Sequence, residues 1–242
     1  MTLAGKTILI TGASSGIGLA TARHLAAQGA QLQLASRNVE ALEALAAELP
    51  GSAVLPVDMS DVSQVRAMLQ EAARLGGFDG LVNNAGRAYE ATVEKTDLAA
   101  LDYIFRLNLL GPVAAMQEAL PILRARGGGA IVNISSGTTL MRIPGYSVYS
   151  ASKRALNGFT LTAREELQAE NIRVSLVYPR LTATAFGKNK VLTGKDGGLG
   201  ARPGADYTKG DPPEHIAGLI LQALLEGGAE YFAHPDMLKL RP

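Results

Sequence analysis

Cysteine is absent from the 242 residues. That excludes disulfides, thiolate nucleophiles and cysteine-ligated metals, and says little about the compartment. Histidine is scarce. His24, His215 and His234 stand far apart in the chain and lack ligand spacing, so no metal site is expected. Charge of one sign is also missing. Lys and Arg number 23 against 22 Asp and Glu, a formal net charge of +1, which leaves no global field to recruit nucleic acid or an anionic membrane. No apolar run approaches the ~18 residues of a membrane span. The opening stretch MTLAGKTILITG is too short in apolar residues for a signal peptide and runs straight into a glycine loop. The expectation is a cytoplasmic protein whose partner is a small molecule. What is present is ordinary for a globular chain: 47% hydrophobic residues, enough to bury a full core.

Short apolar runs alternate with amphipathic stretches. Lys6–Thr11 is short, β-rich and ends at glycine, the pattern of a buried strand. Gly16–Gln28 has helical periodicity. Gln31–Ser36 reads as a strand and Val39–Leu49 as a helix closed by Pro50. Ala53–Val57 is a third strand, followed by a helix over Asp61–Leu75 with Asp61 as N-cap. Gly80–Asn83 is a fourth strand. Asp97–Arg126 is a long helical segment with Pro112 and Pro121 as kinks or breaks. Then come a strand at Ala130–Ile134, a helix at Ser147–Glu170, a strand at Arg173–Tyr178, a helix at Pro213–Glu226 and a short strand near Glu230–Phe232. Strict βαβ alternation predicts an α/β fold, a parallel sheet with helices on both faces. No linker divides the chain, so one domain over 1–242 is expected. The stretch 181–212, rich in Gly and Lys without a clear element, reads as a mobile substrate loop.

Two stretches carry chemistry. Thr11–Gly18 reads TGASSGIG, between the first strand and the first helix. Glycines at 12, 16 and 18 allow a tight turn and close approach of a ligand. The helix start behind them suits a pyrophosphate. Val148–Lys153 reads VYSASK. On a helix, positions i and i+4 share a face, so Tyr149 and Lys153 point the same way.

The spacing G-x-x-x-G-x-G, with NNAG at 83–86 and YSASK at 149–153, resembles the short-chain dehydrogenase/reductase family over nearly the whole chain. The resemblance implies one doubly wound Rossmann domain with strand order 3-2-1-4-5-6-7. It implies a catalytic set of Asn108, Ser136, Tyr149 and Lys153, in which Ser136 is selected over Ser135 because it lies thirteen residues before the tyrosine. Asn108 would hold a water that relays protons to Lys153. The cofactor would touch Gly12, Ser14, Ser15, Gly16, Ile17 and Gly18 of the loop, Asp58 and Met59 after the third strand, and Asn84, Ala85 and Gly86 after the fourth. Tyr149 and Lys153 would complete these contacts, with Pro179 and Thr184 after the sixth strand. An unperturbed phenol, with a pKa of ~10, is too weak an acid for neutral pH. A cation within ~4–6 Å would lower that value, and Lys153 is placed to supply it. Ser136 would donate to the substrate oxygen. Tyr146, with the wrong spacing to Ser136, reads as pocket wall.

The second strand ends in LASRN. Ser36 stands where a carboxylate would hold the ribose of NAD, and Arg37 follows, suited to a 2′-phosphate. NADP(H) is the expected cofactor, and interconversion of a carbonyl and an alcohol the expected reaction. A non-catalytic NADP(H)-binding sensor or scaffold is the alternative. Two departures from the family stand out. Arg180 replaces the glycine that usually follows Pro179, and the C-terminus lacks a glycine-rich segment, which favours a homodimer through the two long helices. Substrate choice would be set by Thr138–Tyr146, Arg87–Ala91 and the 181–212 stretch.

Overall fold

The computed structural model describes residues 3–184 and 210–240. The centre of the expected substrate loop, residues 185–209, lies outside the described residues. Seven parallel strands form one sheet in the order β3-β2-β1-β4-β5-β6-β7. They are β1 (Thr7–Thr11), β2 (Gln31–Ser36), β3 (Ala53–Pro56), β4 (Gly80–Asn83), β5 (Gly129–Ile134), β6 (Ile172–Tyr178) and β7 (Glu230–Phe232). The helices are α1 (Gly16–Ala27), α2 (Val39–Glu48), α3 (Val62–Arg74), α4 (Leu98–Phe105), α5 (Gly111–Ala125), α6 (Ser147–Leu167) and α7 (Pro213–Glu226).

Successive side chains of a strand point to opposite faces of a sheet, and here each face has its own core. Ile8, Ile10, Leu32, Leu34, Val82 and Val132 pack beneath α1, α2 and α7 with Leu25, Leu42, Ile216 and Ile220. Leu9, Leu55, Leu81, Ile131 and Val174 pack beneath α3, α5 and α6 with Met68, Leu69, Leu123 and Leu167. Both faces are therefore covered, which is why the strands read as continuous apolar runs rather than alternating ones. The N-cap at Asp61 is formed: its carboxylate accepts from the amides of Ser63 and Gln64.

The long segment expected at Asp97–Arg126 is three pieces. α4 passes into a π turn at Arg106–Leu110 and then into α5, whose first turn holds Pro112 and whose interior holds Pro121. By length and composition Leu98–Ala125 could cross a membrane, but Ala115, Ala119 and Leu123 are buried in the core on the sheet. His215 and His234, distant in sequence, are ring neighbours with centroids 5.6 Å apart. His215 Nε2 meets the Ala233 carbonyl at 2.8 Å, and His234 Nε2 meets the Asp211 carboxylate at 2.9 Å.

Candidate active site

Parallel strands deliver their following loops to one edge of the sheet, where the order reverses between β1 and β4. Ligands of open α/β sheets bind outside that edge. A cavity of about 750 Å³ lies there, lined by the glycine loop, by the ends of β2, β4, β5 and β6 and by the start of α6.

The glycine loop is held by sequence-distant contacts. The Thr11 hydroxyl accepts from the amides of Asn84 and Ala85, and the Asn84 carboxamide donates to the Thr11 and Gly12 carbonyls. Gly12 has φ +70°, and a Cβ there would lie 2.9 Å from the Ala85 Cα, so only glycine fits. A Cβ at Gly18 would stand 2.2 Å from the Gly12 carbonyl oxygen. Gly18 lets α1 press against the loop; unlike the other residues expected to touch cofactor, it does not line the cavity. Ser15 precedes α1 without a side-chain cap, which leaves the first amides of that helix open to an anion.

At the inner end, Ser136 follows β5, Tyr149 sits in the first turn of α6, and Lys153 follows one turn later. All three line the cavity. Tyr149 and Lys153 are only 5% and 4% exposed. The Ser136 hydroxyl is hydrogen-bonded to the Tyr149 phenol and accepts from the Thr138 amide at 3.2 Å. Lys153 Nζ donates to the Ile134 carbonyl at 2.8 Å. Ser135 is turned elsewhere: its hydroxyl donates to Asn157 Oδ1 at 2.6 Å. Tyr146 stands edge-on to Tyr149, with centroids 6.4 Å apart, and its hydroxyl donates to buried Glu90 at 3.2 Å.

Burial sets the acidities. It pushes the Tyr149 phenol up to about 12, against a smaller opposing effect of the Ser136 hydrogen bond, and pulls Lys153 down to about 8. The sequence-based expectation of a depressed phenol is thus reversed. Removal from water dominates at both groups, since burial disfavours the phenolate and the ammonium alike.

Asn108 is fully buried in the π turn, a distortion frequent at functional sites. Its Oδ1 accepts from the Arg87 amide at 3.0 Å, and its Nδ2 donates to the Arg87 carbonyl at 3.0 Å and to Ser152 Oγ at 3.1 Å. The Asn108 side chain is therefore a clasp on the loop after β4. Asn108 does not line the cavity, although a Cβ at Gly86 would lie 3.0 Å from its Oδ1 and 3.4 Å from Lys153 Nζ.

At the outer end, the Ser36 hydroxyl is occupied by Asn38, whose amide donates to it at 3.1 Å. Arg37 Nη1 stands 3.6 Å from the Asp58 carboxylate and donates to the Tyr103 hydroxyl at 3.3 Å. The Arg37 side chain is 47% exposed. Burial raises the Asp58 pKa, but hydrogen bonds from Ser60 and the Arg37 charge together outweigh it and leave the carboxyl below its ordinary value. Sequence reasoning missed Tyr103 and the wall residues Val57 and Leu107; none carries a local signal.

The model of the short chain dehydrogenase family matches residues 6–200. A dehydrogenase/reductase SDR family protein 7-like from Anopheles gambiae is 35% identical over 92% of this chain and 73% of its own length. The ketoacyl reductase HetN from a Nostoc species is 38% identical over 74% of this chain and 64% of its own. Among solved structures, a putative short-chain alcohol dehydrogenase from Sinorhizobium meliloti superposes with a TM-score of 0.84 at 30% identity, covering 98% of each chain.

Proposed function

The chain belongs to the short-chain dehydrogenase/reductase family, and we propose that it is an NADP(H)-dependent reductase of a small carbonyl compound with Tyr149 as its general acid. One observation carries this: Ser136, Tyr149 and Lys153 converge at the buried end of the cavity that has Arg37 at its open end. The residues fit a dinucleotide. The glycine loop leaves no room for side chains where the backbone turns, and the amides at the start of α1 and the guanidinium of Arg37 are both suited to phosphate oxygens.

The nicotinamide, when bound, supplies the hydride. The chain does the rest. Ser136 donates to the substrate carbonyl oxygen and holds it beside Tyr149. Tyr149, held protonated by burial, gives its proton to that oxygen as negative charge develops there. Lys153 stabilises the resulting phenolate and returns a proton to it. The Lys153 value near 8 suits that exchange at neutral pH. Asn108 is a positioning residue that fixes the loop carrying Arg87.

NADP(H) preference rests on Arg37 alone, because the Ser36 hydroxyl is taken by Asn38. A ketone substrate accords with the naming of one relative as a ketoacyl reductase. A cytoplasmic homodimer is the expected assembly, with exposed Leu110, in the π turn before α5, and exposed Phe159 on α6 as contact residues. The test is NADPH oxidation against a panel of ketones, aldehydes, quinones and acyl thioesters, run in parallel with NADH. NADPH binding without oxidation of any carbonyl would contradict the reductase reading.

A further inference from the structure

Among the described residues, four cationic side chains, Arg37, Arg87, Lys153 and Arg180, line the cavity against a single carboxylate, Asp58. Two of the four have protein partners. Arg37 faces Asp58 and Tyr103, and Lys153 donates to Ile134. The side chains of the other two have none among the described residues. Among the described residues, Arg87 and Arg180 enter hydrogen bonds only through their main chains: Arg87 is clasped on both sides by Asn108, and the Arg180 carbonyl accepts from Thr182. Glu90, the acid nearest Arg87 in the chain, is buried, lies outside the lining and accepts from Tyr146. Arg154 beside the same rim shows what a structural arginine looks like, since it donates to the Thr139 and Met141 carbonyls.

The two arginines line the cavity and follow the strands on either side of the one that leads to Ser136. β4, β5 and β6 are neighbours in the sheet, about 4.8 Å apart. Arg87 follows β4, Ser136 follows β5 and Arg180 follows β6. The pairing of β5 with β6 continues past the strands, because the Gly137 amide donates to the Pro179 carbonyl at 2.8 Å. The Arg180 Cα lies 3.8 Å from where a Cβ on Gly137 would be, and Gly86, next to Arg87, faces Lys153. The Asn108 clasp fixes the backbone from which Arg87 projects.

Arg87 is half-buried and Arg180 is exposed at the mouth. A half-buried cation without a counter-charge is uncompensated until an anion arrives, and guanidinium pairs with carboxylate or phosphate by two parallel hydrogen bonds. The cofactor's phosphates have the glycine loop and Arg37 at the other end. We infer that the substrate is an anionic carbonyl compound whose carboxylate or phosphate sits between Arg87 and Arg180 while its carbonyl oxygen meets Ser136 and Tyr149. An oxo acid is then reduced to a hydroxy acid: hydride from the reduced nicotinamide forms the C–H bond, the Tyr149 proton forms the O–H bond, and the oxidised cofactor leaves. This assignment of substrate class rests on the reductase reading above.

Matched pairs test it: 2-oxobutanoate, acetoacetate and 4-oxopentanoate, each with its methyl ester, and dihydroxyacetone phosphate with dihydroxyacetone. Binding to the enzyme–NADPH complex is read from cofactor fluorescence, and reduction from NADPH consumption. At least one anionic member should surpass its neutral partner by about tenfold or more, the scale of one charge-assisted pair, with the advantage shrinking as salt is added. In the double variant Arg87→Gln with Arg180→Gln the ratio should fall to about one, with NADPH affinity changed by less than about threefold. Arg180→Gln alone, at an exposed position, controls for folding and should lower the ratio severalfold. Neutral partners that bind and react as well as the anions in every pair would overturn the inference and leave the reductase reading standing. A ratio unmoved in the double variant would also overturn it, as would loss of NADPH affinity, which would assign the arginines to the cofactor. A wild-type protein that does not bind NADPH would defeat both readings.

Discussion

At the inner end of the cavity Tyr149 and Lys153 are buried and tied to the protein: Tyr149 to Ser136, Lys153 to the Ile134 carbonyl. At the outer end Arg37 and Asp58 face each other across 3.6 Å with side chains 47% and 30% exposed. The two ends therefore obey different electrostatics. Withdrawal from water shifts the inner pair in opposite directions, Tyr149 up and Lys153 down. Solvent screens the outer pair, and an exposed ion pair is worth little. The proposed function puts chemistry at the inner end, where small displacements and lost charges would have large consequences. It puts cofactor choice at the rim, where the same kind of substitution would have modest ones.

Lys153→Met should give the largest effect short of removing the acid itself, a loss of roughly 10²–10⁴-fold in turnover. The same change should stabilise the fold. A lysine held near 8 rather than 10.5 has its charged form disfavoured by folding. That cost is in full below pH about 8 and fades as pH rises towards the unfolded value. At pH 7 the variant should gain about 1–3 kcal/mol in denaturant unfolding, and the gap to wild type should narrow between pH 8 and 10.5. A variant less stable than wild type at pH 7 would mean that the hydrogen bond to Ile134 outweighs the buried charge. Reduction takes up a proton, so kcat/KM in that direction should fall as pH rises through about 8, the value of Lys153. A profile flat to pH 10 would remove Lys153 from the proton path.

Changes at the rim should be smaller. Arg37→Ala should lower kcat/KM for NADPH by about tenfold, close to 1.4 kcal/mol, and leave NADH nearly unchanged, with the difference appearing in KM rather than kcat. Tyr103→Phe removes one 3.3 Å hydrogen bond from an exposed guanidinium and should cost NADPH affinity only about two- to threefold. A loss that equals the Arg37→Ala loss would show that Arg37 depends on Tyr103 for its position.

Periodicity made the layers legible, because strands buried on both faces and helices with one buried stripe leave clear signatures in the chain. α7 and β7 fall at the expected residues, and Asp61 caps α3 as its side chain predicts. The π turn at Arg106–Leu110 was not legible: the apolar pattern runs through it, and Pro112 marks a break without its kind. Ser136, Tyr149 and Lys153 were legible because motif spacing carries them. Their acidities were not, since burial is a property of the assembled layers. The Tyr146–Glu90 and Arg37–Tyr103 hydrogen bonds join residues 56 and 66 positions apart, beyond any local pattern. The Asn108 clasp on Arg87 spans 21 positions and was not legible for the same reason.

The division of labour between the two ends is tested most directly by Tyr149→Phe, measured as a single turnover at saturating NADPH beside the NADPH dissociation constant. The substitution deletes one hydroxyl from the buried end and touches nothing at the rim. The rate of NADPH oxidation should fall by about 10²–10⁴-fold while the dissociation constant stays within about threefold of wild type. A rate above half of wild type, or a loss of rate matched by an equal loss of NADPH affinity, would contradict the assignment of chemistry to Tyr149.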